Sequence, residues 1–474
     1  MKKNFYVGLI ALTALTVTSC SNDDVVMQSP EVNKAIEFGT YVGRDAVSRG
    51  SVITESGSTA GQDNATITTL SLKEKGFGVF AYYTDESSYV NGDNPETTDV
   101  TETGSLCNFM YNQKVEMGGG ATDWTYSPVK YWPNDPGDKL TFFAYAPYDD
   151  ADADANQGEV DNISFNTQAT MLGDPVITFK VHNTVKNQTD LLFSKSNNKN
   201  LIKNKAEDAG IYVDEEVNFE FAHALSRIGF TVKAITDEVV AGQTPNKLDE
   251  ATTIVVKKVI LSGGEHSAAV DANFTAPSEG VFHSQGTLNI NQQDVNNFNN
   301  QTSTFVTWAD GNNDTKQIFT LTNENFATQT QGTESGYFTM YNEQGFILTE
   351  DTKILNTTNS TTANKLNADD SYIMIIPQDL SSTGFYVYVE YDVITIDQNI
   401  GNNSNTYDGL KSKVTNHIST QVSDINFQSG KAYTLNLQLG MTSVKVTANV
   451  DDWSEQTGTS VDLPQNTQQQ QQNP

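Results

Sequence analysis

Apolar and polar side chains alternate along most of this chain of 474 residues, and that period constrains its fold more than any other feature. Residues Gly76 to Tyr83 read GFGVFAYY, Lys139 to Ala146 read KLTFFAYA, and Lys431 to Leu439 read KAYTLNLQL. A period of two places successive side chains on opposite faces of a β-strand, whereas no segment keeps an apolar repeat at helical spacing. The stretches between are rich in Asn, Thr, Ser and Gly, which favour turns. The chain is therefore predicted to be all-β, with its strands packed as sandwiches.

The N-terminus resembles an export signal. After a short basic region, the mostly apolar run from Tyr6 to Val17 has the length of a signal peptide and is too short to span a bilayer as a helix. It ends in Val17-Thr18-Ser19-Cys20, which looks like a bacterial lipobox whose cysteine takes the lipid. We expect a signal peptide over residues 1–19, palmitate on Cys20, a lipidated tether over residues 20–34 and attachment to the outer membrane through the lipid. The alternative is ordinary secretion with an incidental Cys20.

Composition narrows the class of protein further. The formal net charge of −31 is spread along the chain, which argues against a nucleic-acid partner and suits a soluble surface protein. Besides Cys20 the only cysteine is Cys107, so no disulfide is expected once Cys20 carries a lipid. We interpret Cys107 as a small buried apolar side chain and not as a reactive thiol. The Gln-rich end, residues 465–474, is predicted to be disordered.

The sequence contains no motif that carries catalysis. The five histidines, which lack the spacing of metal ligands, are His182, His223, His266, His283 and His417. His223 lies in the stretch FAHAL and is interpreted as a packed core residue. No serine lies in a nucleophile elbow, and no glycine-rich loop joins a strand to a helix. We therefore expect neither an enzyme nor a cofactor.

Two features could contact a ligand. The acidic run from Asp150 to Asp161 partly resembles a calcium loop, but Ala155 replaces the glycine that the sharp turn needs, so a solvated loop is favoured. Three tryptophans are expected to pack in the core, namely Trp124, Trp132 and Trp453. Trp308 lies beside a polar loop and is the aromatic residue most suited to stack on a sugar.

The two ends of the chain carry strand patterns without local partners. Residues 35–42 read AIEFGTYV, and Arg44 and Arg49 follow. The inward face of this first strand is predicted to carry Ile36, Phe38, Thr40 and Val42. Near the C-terminus, Val461 and Leu463 are the apolar residues of a weaker pattern. Such terminal strands can be exchanged between subunits, because an open sheet edge offers its backbone groups to any incoming strand.

The order and spacing of several blocks resemble the fimbrillin superfamily, the lipoprotein pilins and fimbrial accessory subunits of anaerobic Gram-negative bacteria. Besides the lipobox, the blocks are Ser48-Arg49-Gly50, GFGVFAYY from Gly76, WTYSPVKYWPNDPGDKLTFFAYAP from Trp124, FEFAHALSRIGFTV from Phe219, YIMIIPQ from Tyr372, YVYVEYDV from Tyr386, GKAYTLNLQL from Gly430 and VKVTANVDDW from Val444. Together they cover most of residues 1–464.

This resemblance implies two tandem transthyretin-like β-sandwich domains, here residues 35–214 and 215–464. It also implies that an arginine-specific protease removes the first strand, and that a strand from the C-terminus of the next subunit fills the groove. Arg49 is the first candidate for the cleavage position and Arg44 the second. Other fimbrial subunits are the expected partners, together with a host or microbial surface ligand. The alternative is that both arginines are solvated loop residues and the strand stays in place.

The C-terminal tail departs from the pattern of a stalk subunit. A donor strand needs several alternating apolar residues, and this tail offers only Val461 and Leu463. A tip or accessory subunit that accepts a strand but donates weakly therefore fits as well as a polymerising stalk. A different class of function also stays open, that of a monomeric surface lipoprotein that binds glycans on an exposed aromatic platform. A surface hydrolase has no motif in its favour.

Overall fold

A computed structural model of the protein describes residues 35–42, 69–90, 104–118, 123–133, 138–150, 163–165, 172–194, 216–234, 252–267, 274–291, 305–307, 315–329, 344–349, 364–396, 411–441 and 443–452. The first nine strands are β1 (Phe38–Val42), β2 (Phe77–Tyr83), β3 (Met110–Met117), β4 (Trp124–Thr125), β5 (Leu140–Ala146), β6 (Ile163–Phe165), β7 (Val176–Lys180), β8 (Leu192–Ser194) and β9 (Val217–His223).

The later strands are β10 (Ser226–Ala234), β11 (Thr252–Ser262), β12 (Phe282–His283), β13 (Gln285–Asn289), β14 (Phe305–Thr307), β15 (Lys316–Gln317), β16 (Phe319–Leu321), β17 (Phe346–Thr349), β18 (Asn364–Lys365), β19 (Ile373–Ile375), β20 (Gln378–Asp379), β21 (Phe385–Ile396), β22 (Lys411–Val422), β23 (Asn426–Phe427), β24 (Lys431–Leu439) and β25 (Val444–Asp452). Helical segments in the described ranges are short: α1 (Thr69–Lys75) and the 3-10 turns Val185–Asn187 and Asn323–Asn325. The all-β prediction is confirmed.

A seven-stranded sheet, in the order β1-β9-β8-β5-β2-β3-β4, separates two hydrophobic cores. Phe77 and Val79 of β2 pack into the first core, while Phe80 and Tyr82 of the same strand pack into the second. The strand is thus buried on both faces, which explains why its sequence is a continuous apolar run and not a clean alternation. We call the first of these clusters the N-terminal core.

The second core continues into a sandwich of two five-stranded sheets. One sheet has the order β18-β10-β24-β25 with β19 beside β10, and the other has the order β16-β11-β21-β22 with β17 beside β11. Ile228 of β10, Val389 of β21 and Leu435 of β24 meet in this core. The alternation along β21 and β24 therefore buries one face of each sheet against the other.

Among the described strands, three pairings cross the boundary predicted near residue 215. Strand β9 follows that boundary but pairs with β8 and β1, because Val217, Phe219 and Phe221 bury their alternating side chains in the N-terminal core. Strand β13 pairs with β7, within a sheet of order β14-β13-β7-β6. The chain passes from the seven-stranded sheet to the sandwich at Ala224 and Leu225, between β9 and β10. Hydrogen bonding therefore does not divide the strands at residue 215.

Several residues interpreted as core residues are buried in the structure. Cys107 is buried, and its thiol donates to the carbonyl of Met110 over 3.0 Å. Burial raises the pKa of the Cys107 thiol to about 12, so the thiol is protonated at neutral pH. His223 is buried with Nδ1 2.8 Å from Oδ2 of Asp190, and Trp132 is buried as well. No helix in the described ranges is both long and apolar enough to cross a membrane.

Candidate functional site

The first strand forms one edge of the seven-stranded sheet. Residues Phe38–Val42 run parallel to Val217–Phe221 of β9 and lie in register with them. The Val217 N–H donates to the carbonyl of Glu37 over 2.8 Å. In a parallel pair, every second residue directs both its N–H and its C=O to the neighbouring strand. Given the bond from Val217, the first-strand residues that bond to β9 are Glu37, Gly39 and Tyr41. The side chains of the alternate residues Ile36 and Phe38 are buried in the N-terminal core.

A second segment holds the other side of the first strand near its start. The Ile36 N–H donates to the carbonyl of Lys130 over 2.9 Å, and Ala35 forms an antiparallel bridge with Tyr131. The hydroxyl of Tyr126 donates to the carbonyl of Ile36 over 2.9 Å. Burial raises the pKa of Tyr126, so its hydroxyl remains a donor at neutral pH. The start of the strand is therefore clamped between β9 and the segment after β4.

The ring of Phe38 fills an aromatic pocket in the N-terminal core. It is 2% exposed, and ring centroids lie 5.2 Å away at Tyr126, 5.7 Å at Phe219, 6.0 Å at Phe142 and 6.3 Å at Phe77. The Phe219 ring is stacked, and those of Phe77 and Phe142 present their edges. Such arrangements stabilise a buried ring beyond its area, by about 0.5–1.5 kcal/mol for a pair. We call the β9 edge and these four rings the strand groove.

The burial of three of the four residues predicted for the inward face of the first strand is known. Ile36 and Phe38 are buried and Thr40 is half-buried, while the side chain of Val42 lies outside the described residues. On the outward face Glu37 is exposed, and a Cβ atom added to Gly39 would meet the side chains of Asn218 and Glu216. The strand thus fills the groove with an aliphatic residue followed two positions later by an aromatic one.

Most other predicted site residues lie outside the described residues. They are Cys20, Arg44, Arg49, Trp308, Trp453, Val461 and Leu463, together with most of the acidic run. Asp150, at the start of that run, is exposed. Trp124 is half-buried, with its ring 4.9 Å from that of Phe77. In the described residues, no three His, Cys, Asp or Glu side chains are arranged to hold a metal ion.

An aromatic patch on the outer face of the β11-β21-β22 sheet is a second candidate site. Phe274 is 51% exposed, and its ring stacks on His417 with the centroids 4.1 Å apart. The rings of His266 and Tyr388 lie beside it, 6.0 Å from Phe274 and 6.3 Å from His417 respectively. We call these four residues the Phe274 patch.

Polar groups border the Phe274 patch. The Tyr388 hydroxyl lies 2.8 Å from Nδ1 of His417 and 3.3 Å from the carboxylate of Glu390. Nζ of Lys258 is 3.9 Å from the same carboxylate. Desolvation raises the pKa of Tyr388, and the negative charge of Glu390 raises it further, so the hydroxyl stays protonated. Tyr388 is itself buried, whereas Phe274, the Glu390 carboxylate and the Lys258 ammonium are accessible. An exposed aromatic ring beside a carboxylate and an ammonium group can stack on and hydrogen-bond a polar ligand.

Two sets of residues have roles that no sequence pattern indicates. Tyr126 belongs to the aromatic block after Trp124, and no local pattern predicts its bond to a carbonyl 90 positions earlier. The Phe274 patch joins residues from three separate segments, so its members have no common spacing in the sequence. A half-exposed Phe274 beside two histidines becomes a candidate only when the sheet brings them together.

We expect Phe38→Ala to destabilise the N-terminal core far more than Glu37→Ala. The first change empties the aromatic pocket and should lower the free energy of unfolding by about 3–5 kcal/mol. The second removes an exposed side chain and keeps the backbone bond to Val217, so it should change that energy by less than about 0.5 kcal/mol. Urea denaturation of the mature chain measures both; equal effects would contradict the packing described for Phe38.

Comparison with known proteins places the fold in a family. The chain matches the fimbrillin-like family over residues 64–345, more than half of its length. Fimbrium subunit Fim1C of Phocaeicola vulgatus is 25% identical to it over 463 residues, which cover 96% of this chain and 98% of that protein. The crystal structure of a fimbrial protein from Bacteroides vulgatus superposes with a TM-score of 0.56 at 22% identity, covering 89% of this chain and 100% of the other.

The family match and the shared fold agree with one another. The family supplies structural parts of fimbriae and is not an enzyme family, and its members belong to surface appendages that assemble from several components. The resemblance noted from the sequence blocks is therefore confirmed, and the protein belongs to the fimbrillin-like family.

Proposed function

We propose that this protein is a stalk, tip or accessory subunit of a surface fimbria that accepts a donor strand from another subunit after proteolysis. The observation that carries the proposal is the strand groove, in which one terminal strand supplies both a row of backbone bonds to β9 and the Phe38 ring of the core. A strand of this kind can be replaced only by another strand with similar side chains.

Removal of the first strand would leave a groove that favours the binding of another strand. It would leave the β9 edge unpaired and expose Phe77, Phe142 and Phe219, which are now fully or almost fully buried. An unpaired edge beside an apolar groove is a template for a new strand. The first strand ends at Val42, and Arg49 lies seven positions later in the sequence, which suits cleavage between the strand and the rest of the chain.

The lipobox supports export as a lipoprotein. In this proposal Cys20 carries the lipid, and the residues that follow form a tether between the outer membrane and the first strand. Two or more acyl chains bury enough methylene groups for a durable anchor. Cleavage at Arg49 would separate the assembled subunit from that anchor together with the first strand.

We also propose a two-domain arrangement of the transthyretin-like type, with a boundary that the strand pairing supports at Ala224 and Leu225. The seven-stranded sheet, which includes β9, would belong to the N-terminal domain, and β10 would open the C-terminal domain. The pairing of β13 with β7 would then be a contact made by the second domain with the first.

Treatment of the mature chain with an arginine-specific protease tests the proposed function. We expect one cut after Arg49, loss of the first-strand peptide when a donor is supplied, and no cut at that position in an Arg49→Lys variant, which keeps the charge. Mass spectrometry identifies the cut, and SDS-resistant ladders report self-assembly. A folded protein that resists cleavage at Arg49 and Arg44 would contradict processing, and a cut protein that never exchanges its strand would contradict strand exchange.

The Phe274 patch favours a second candidate function, glycan binding at the surface. Pyranose rings present C–H groups that pack on exposed aromatic faces, and their hydroxyls need donors and acceptors such as Glu390 and Lys258. This activity is compatible with a tip adhesin and equally with a monomeric lipoprotein. In this second proposal, Phe274 and not Trp308 is the aromatic residue that stacks on the sugar.

We expect Phe274→Ala to abolish retention of the protein on immobilised neutral polysaccharide. The matched control is Tyr131→Ala, which removes an aromatic side chain of similar exposure, 52% against 51%, outside the patch. Affinity electrophoresis of both variants in polysaccharide gels measures retention. Equal retention of the two variants, or no retention of the unaltered protein, would remove glycan binding at this patch.

A further inference from the structure

The strand groove constrains which strand can occupy it at two side-chain positions. The Ile36 position is 1% exposed and lies beside the Tyr126 clamp, and the Phe38 position is 2% exposed among four aromatic rings. Protein interiors are close-packed, so a smaller residue at the second position leaves a void that the surrounding rings cannot fill without moving. The groove therefore favours an aliphatic residue followed, two positions later, by an aromatic residue.

The backbone of β9 adds a second constraint. The parallel register assigns the residues at positions 37, 39 and 41 to bonds with β9, starting with the 2.8 Å bond from Val217 to the carbonyl of Glu37. A strand in this place must present an N–H at the positions of Gly39 and Tyr41. Proline has no N–H, so it disrupts pairing wherever it falls on this set of positions.

The C-terminal tail of this same chain violates both constraints. Between residues 454 and 474 it has no aromatic residue, and its apolar pair is Val461 and Leu463. Aligning that pair with Ile36 and Phe38 puts leucine in the aromatic pocket and Pro464 at the position of Gly39. A shift by two residues in one direction places Pro464 at the position of Tyr41, which also needs an N–H, and a shift in the other direction places Gln465 in the aromatic pocket.

The aromatic residue nearest the tail cannot substitute for the missing one. Trp453 directly follows β25, which is paired with β24 up to Asp452. Moving Trp453 into the groove of another subunit would place Asp451 at the buried Ile36 position. Burial of an unpaired carboxylate is costly, and the end of β25 would have to separate from β24.

We infer that the groove is built for the donor strand of a different subunit, one that carries an aliphatic-x-aromatic pattern without proline and runs parallel to β9, and not for the tail of a second copy. The inference rests on the proposed function, because it concerns the occupant of the same groove. It assigns the chain to the strand-accepting side of a heterotypic contact. A chain of this kind would end or cap a series of subunits unless a partner with a different tail continues it.

Peptide exchange on the cut protein tests the inference. The mature chain receives the recognition sequence of an unrelated protease in place of residues 44–49, so that the cut does not depend on arginine processing. Dye-labelled peptides are then offered in excess: residues 33–43, the same peptide with Phe38→Leu or Phe38→Ala, the tail peptide 456–468, and that tail peptide with Leu463→Phe and Pro464→Gly. Fluorescence anisotropy measures uptake, and mass spectrometry measures release of the original strand.

We expect the unaltered first-strand peptide to bind best, with about tenfold weaker binding for Phe38→Leu and at least about a hundredfold weaker binding for Phe38→Ala. The unaltered tail should bind at least about a hundredfold more weakly than the first-strand peptide, and its doubly substituted form should recover most of that loss. A natural tail that binds within about threefold of the first-strand peptide overturns the inference while strand exchange stands. Failure of every peptide, including residues 33–43, removes the exchangeable groove and the proposed function with it.

Discussion

The packing of Phe38 against four aromatic rings is the interaction on which the N-terminal core depends. The ring comes from the first strand, while Phe77, Phe142 and Phe219 come from β2, β5 and β9. One residue near the chain terminus thus contacts three strands of one sheet, and the backbone bonds to β9 hold it there. Because all of these contacts come from one short strand, the proposed exchange would remove or restore them together.

The position of β9 explains how an exchanged strand could be held under load. Its first residues line the strand groove, and its last residues enter the second core, where Ala222 packs with residues of the sandwich. After Ala224 and Leu225 the chain begins β10, which pairs with β24 along eight residues. A strand seated on β9 is therefore joined through continuous backbone to the larger of the two cores among the described residues, and the buried pair of His223 and Asp190 lies at this junction.

The sequence predicted the elements whose patterns are local and failed where distant segments combine. The block GFGVFAYY is correctly predicted to be a strand, but only the structure reveals that Phe77 and Phe80 belong to different cores. The inward face of the first strand followed from its period, as Ile36 and Phe38 illustrate. Its parallel pairing with β9 could not be predicted, because register between segments about 180 residues apart is set by tertiary packing.

In the proposed exchange, the first strand must leave β9 before another strand can bind. Gly39 and Asn218 are register partners, and a Cβ atom on Gly39 would meet the Asn218 side chain, so a Gly39→Cys and Asn218→Cys pair can form a disulfide across the groove. With the disulfide formed, the protein cut between residues 43 and 50 should keep its first strand and take up no donor peptide, and reduction should restore uptake. Uptake that is equally fast before and after reduction would contradict the account.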